Sequence, residues 1–83
     1  MPLIAYKERS TGKKVNAGLI LSVEPIQDIE GAVKLTFSGD AEARIQPVWA
    51  KRHNPKAGGY FVILDIGADF MEENAFNSKY ERI

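Results

Sequence analysis

Alternation of apolar and polar side chains, rather than helical spacing, runs through most of this chain. Val33, Leu35 and Phe37 alternate with Lys34, Thr36 and Ser38, the period-two pattern of a half-buried strand. Gly39 and Asp40 supply turn chemistry, and residues 42–50 return as a strand with Ile45 and Trp49 on one face. Pro47 offers no N–H to a ladder, so this strand is expected to be at an edge or bulged there. Upstream, residues 15–24 read as one strand, with Leu19, Leu21 and Val23 on one face and Ile20 and Ser22 on the other. Pro25 and the loop that follows it separate this strand from the one at Val33, which predicts a long-looped hairpin. Residues 3–8 add a further strand, and 9–14 a loop.

The most apolar run follows two adjacent glycines. Asn54, Pro55, Gly58 and Gly59 tolerate tight or positive-φ backbone, so the chain turns sharply before Tyr60. Tyr60, Val62 and Leu64 then point one way and Phe61 and Ile63 the other. A strand apolar on both faces is expected inside a sheet with cover on each side. Residues 65–68 predict a hairpin connection into a strand at 68–71 that pairs back on it. From Glu72 the spacing changes: Phe76 and Tyr80 are four apart, with acidic residues at the start and Lys79 and Arg82 at the end. That predicts one short terminal helix, its charges matched to the helix dipole.

The fold class expected is therefore α+β: a small, mainly antiparallel curved sheet or partial barrel with one short C-terminal helix. With 83 residues the chain has room for a single domain, 1–83. One short helix covers only one face of a sheet. The second face is covered either by curling, with Val33, Leu35, Phe37 and Ile45 as the opposing layer, or by a second copy of the chain in a two-fold contact, which is the slightly favoured arrangement.

Composition narrows the chemistry. Without cysteine there is no disulfide and no thiolate metal site, and His53 is the only histidine, so a histidine pair for zinc is excluded. Eleven basic and eleven acidic side chains cancel, which argues against a general polyanion binder and leaves only local basic patches. The first residues are too short an apolar stretch for a signal segment, and no run reaches the length of a membrane span, so a bacterial cytoplasmic location is expected. Residues 10–14 lack both the first glycine and the final hydroxyl of a phosphate-binding loop. Asp65, Asp69, Glu72 and Glu73 lack the spacing of a calcium loop. No serine has a glycine-elbow context with a base beside it. Neither catalysis nor a cofactor is expected.

The C-terminal part resembles a family of small proteins encoded in tailed bacteriophages and prophages. Members carry a proline, a Gly-Gly or Gly-Asp pair leading into Tyr-hydrophobic-Val, a glycine-containing hairpin, and a short helix with Phe four residues before Tyr. Here these are Pro55, Gly58, Gly59, Tyr60, Val62, Gly67, Phe76 and Tyr80, with Ile83 as the apolar end. Residues 13–20 are similar to the strand that often opens such proteins. The chain differs in lacking the proline that commonly precedes the helix. The resemblance implies an accessory phage protein and assigns no activity.

Two kinds of partner follow. The first is a host or phage protein, met by contact as a host-directed inhibitor, a modulator or a self-associating module, through candidates Tyr60, Phe61, Ile63, Lys51, Arg52, His53 and Lys56. The second is a single-stranded nucleic acid held by the basic patch from Trp49 to Lys56 with Tyr60 as a stacking platform. A minor virion component is a third.

Overall fold

The computed structural model describes residues 3–83. Met1 and Pro2, part of the stretch read for a signal segment, lie outside the described residues. Two antiparallel sheets and two short helices make a mixed, mostly sheet architecture, and the sheets stay open rather than closing into a barrel. The strands are β1 (Ile4–Glu8), β2 (Lys14–Leu19), β3 (Ser22–Pro25), β4 (Val33–Thr36), β5 (Glu42–Ile45), β6 (Tyr60–Ile63), β7 (Ala68–Met71) and β8 (Tyr80–Arg82). The helices are α1 (Pro47–His53) and α2 (Glu73–Lys79). The larger sheet has the order β7-β6-β2-β1-β8, the smaller β3-β4-β5. Among the described residues no helix is long and apolar enough to cross a membrane.

The expected interior strand is found. β6 lies between β2 and β7, with Ala17 opposite Val62 and Phe61 opposite Phe70. On one face Val15, Ala17, Val62, Phe76 and Tyr80 form a core beneath α2, joined by Tyr6, Tyr60 and Met71. The long-looped hairpin between β3 and β4 is also found, with Val23 opposite Leu35.

Three expectations are corrected. Residues 15–24 are two strands, not one, because the chain leaves the larger sheet for the smaller at this point. Ile20 closes the first sheet, its N–H donating to Gly59 O at 2.9 Å. Leu21 opens the second, its N–H donating to Thr36 O at 2.7 Å. The switch turns Ile20 between the layers, 1% exposed, and leaves Leu19 and Leu21 in solvent.

The second correction concerns residues 42–50, where β5 ends at Ile45 and a helix begins. Pro47 stands at its first turn, where a missing N–H costs nothing and the fixed φ suits the helix. Trp49 thus reaches the Ile45 core from a helix. Third, α2 stops at Lys79: Tyr80 takes an extended backbone and starts β8, which pairs with β1. Only Lys79 is left as a basic residue in the last helical turn.

The second apolar face is covered by the chain itself, with the layer expected of the curled monomer but without closure into a barrel. Leu35, Phe37 and Ile45 of the smaller sheet, with Ala50 of α1 and Ile20, enclose Phe61. Neither barrel closure nor a second copy is needed to bury Phe61.

Candidate interaction groove

The smaller sheet does not cover the whole second face. It sits over Phe61 and Phe70 and stops short of Ile63, which is 36% exposed. The ledge that remains is an apolar groove of about 320 Å³. Its floor is Phe61, Ile63 and Ala68 from the larger sheet with Gly67 of the β6–β7 turn, and its wall is Arg44 and Ile45 of β5, Trp49 of α1 and Gln46 between them.

Trp49 is fixed at the back of this groove. Its Nε1–H donates to Ala68 O at 3.2 Å, its ring meets Phe61 edge-on at 5.6 Å, and the His53 ring lies against it at 4.2 Å. His53 and Trp49 are one helical turn apart, which brings them together on α1. His53 Nδ1 is 3.3 Å from Asp69 Oδ1, and the same carboxylate oxygen accepts the Phe70 N–H at 2.8 Å.

These contacts cover part of one sheet edge. Leu64 N–H donates to Gly67 O, so the hydrogen-bond alternation of an antiparallel pair turns the backbone groups of Ala68 and Phe70 away from β6. Trp49 takes the Ala68 C=O and Asp69 the Phe70 N–H, which blunts β7. β5 is different. Phe37 N–H donates to Ala41 O, which makes Leu35–Ala43 and Val33–Ile45 the bonded pairs and turns the N–H and C=O of Glu42 and Arg44 outward. β5 has a strand partner on one side only.

The charges around the groove are one-sided. Arg44 is its only ionisable lining residue and forms no ion pair among the described residues. It stands directly opposite Lys34, whose ammonium is 3.6 Å from Glu42. On the larger sheet, Lys14 is directly opposite Lys7, and both lie on the same face as Ile63. Lys7 is paired with Glu81; Lys14 has no such partner among the described residues.

The residues singled out from the sequence divide over several surfaces. Ile63 lies in the groove, while Phe61 is buried beneath it. Tyr60 faces the other way, its ring stacked on Phe76. Lys51 and Arg52 are exposed on the outer side of α1, and Lys56 lines a separate hollow with Gly58, Phe70 and Glu73. His53 acts as a brace for Trp49. Of the aromatic rings read as a stacking platform, Tyr60 has one face against Phe76, and Trp49 is flanked by His53 and Phe61.

Arg44, Gln46 and Ala68 were not among the sequence candidates. The alternation of Arg44 with Ala43 and Ile45 marks it as outward-facing, but nothing in that pattern says which surface lies beside it. The chain matches no protein-family model, no curated protein and no solved structure.

Proposed function

We propose that this chain is a non-catalytic protein-interaction module that docks a partner protein in the groove between its two sheets. It fits the resemblance to phage and prophage accessory proteins, and so a role as a host-directed inhibitor or modulator in the bacterial cytoplasm. The observation that carries the reading is the ledge itself: a strand interior to its sheet, with Phe61 buried and Ile63 left partly exposed two residues on, beside a braced tryptophan. Apolar floor, an aromatic anchor and an arginine at the rim are the composition of interface centres.

The test compares three forms of the tagged protein as bait in bacterial lysate. Wild type is expected to retain a stoichiometric partner, Ile63→Asp to lose it, and Val48→Asp, on the exposed outer side of α1, to keep it. Equal capture by Ile63→Asp, or no partner with any form, would overturn the docking reading.

A further inference from the structure

We infer that the occupant of the groove is an extended segment of a partner protein, apolar and acidic residues alternating, added as a strand along the free edge of β5. The inference rests on the docking reading above and specifies its occupant. Three observations lead to it.

First, the outward N–H and C=O of Glu42 and Arg44 have no backbone partner among the described residues, whereas on β7 the Ala68 C=O is taken by Trp49 and the Phe70 N–H by Asp69. One edge at the groove is partly covered and the other is open, and an open edge is a template for a further strand. Second, the groove lies against that edge, between β5 and the β6–β7 hairpin. Side chains of an added strand alternate between faces. Those in line with Ala43 and Ile45 point inward, over Trp49 and Ile63, where an apolar residue of leucine size fits.

Third, the side chain in line with Arg44 points to the outer face. There Arg44 faces Lys34, like charges directly opposite, and Glu42 is already held by Lys34. A carboxylate across from Arg44 supplies the counter-charge that no described residue does. The segment is thus apolar, acidic, apolar, centred on Arg44. Lysine at the central position would meet two cations instead.

The probe is a short blocked peptide with glutamate between two leucines and threonine at the remaining positions. Trp49, the only tryptophan, reports groove occupancy by its emission. Amide exchange at Glu42 and Arg44 reports strand addition. Binding is expected to shift Trp49 emission, to slow exchange of both amides, and to weaken about tenfold when the glutamate is replaced by lysine. Arg44→Glu, a change at an exposed position, is expected to invert that preference. Two further peptides carry N-methyl groups on alternate amides, in opposite registers; one register must lose binding and the other keep it.

Equal binding by both methylated peptides, with Trp49 still responding, would remove strand addition and leave groove docking standing. Equal binding by the glutamate and lysine peptides would remove the acidic requirement. No response of Trp49 to any peptide would overturn the inference, while the docking reading would still be decided separately by the Ile63→Asp capture.

Discussion

The ring of Tyr60 lies on the ring of Phe76 with 4.0 Å between centroids and 8° between planes. This stack is where α2 is fastened to the interior strand. Tyr6 closes on Phe76 from the side at 4.8 Å, and Tyr80 completes the cluster at 5.2 Å. Phe76 is fully buried. Phe76→Ala is expected to cost about 3 to 5 kcal/mol, a large share of the margin of so small a domain. Chemical denaturation measures it. An unchanged midpoint would mean that α2 contributes nothing to the core.

The same stack sets a response to alkali. Burial raises the Tyr60 phenol above its ordinary 10.0, with smaller contributions from Tyr6 and Glu73. The phenol therefore ionises less readily in the folded chain than in the unfolded one. Its contribution to stability is complete below the unfolded value and is lost as pH rises through the folded value. Stability is expected to fall above about pH 10, with part of that loss absent in Tyr60→Phe. Equal alkaline loss in both forms would assign the effect elsewhere.

Gly58 and Gly59 are needed for different reasons. Gly58 N–H donates to Ile20 O and Ile20 N–H to Gly59 O, so two residues face one across the ladder, and Gly58 has φ +92°. That is a β-bulge with glycine at its first position. At Gly59 the constraint is space: a Cβ would meet Phe70 Cε1 at 2.4 Å. Gly59→Ala is expected to destabilise by about 1 to 3 kcal/mol, and much of the steric penalty should vanish when combined with Phe70→Ala. Gly58→Ala should cost about 1 to 2 kcal/mol through backbone strain, whatever stands at position 70. Double-mutant cycles separate the two; additivity at 59 and 70 would contradict the steric origin.

Phe61 is enclosed by Phe37 and Trp49 from its own chain. Phe61→Glu buries a charge without a partner, which costs several kcal/mol at least. Loss of cooperative unfolding is the expected result. A folded Phe61→Glu protein sedimenting at the 9.2 kDa chain mass, against a doubled mass for wild type, would instead show that Phe61 is the contact between two copies.

Local patterns were legible where one face decided the outcome. Val33, Leu35 and Phe37 alternate in the sequence, and Leu35 and Phe37 are buried in the structure. Phe76 and Tyr80, four apart, both reach the core beneath α2. The misreadings share one cause, since alternation does not record a change of sheet. Leu19, Ile20 and Leu21 are equally apolar, and only the hydrogen bonds of Ile20 to the glycine bulge decide that the middle one is inside. Pro47 carried two meanings, strand edge or first helical turn, and the pattern through Trp49 could not choose between them. Phe61, Ile63 and Trp49 were legible singly but not as one groove, because residues 44–49 are brought alongside by a crossover that sequence spacing does not encode.

The bulge at Gly58 and Gly59 also closes a circuit. Residues 21–57, which hold β3, β4, β5 and α1, leave the larger sheet at Ile20 and rejoin it at the residues bonded to Ile20. They form an excursion with a single neck, and the strands on either side, β2 and β6, pair as though it were absent. One wall of the groove belongs to the excursion and the floor to the sheet that it leaves. Opening of the groove therefore requires no break in the five-stranded ladder, only a tilt at the neck with loss of the Trp49–Ala68 and His53–Asp69 contacts and of the packing over Phe61. Amide exchange is expected to separate the two stretches into units of unequal protection, with residues 21–57 opening first; a single uniform protection level would show that neck and ladder yield together.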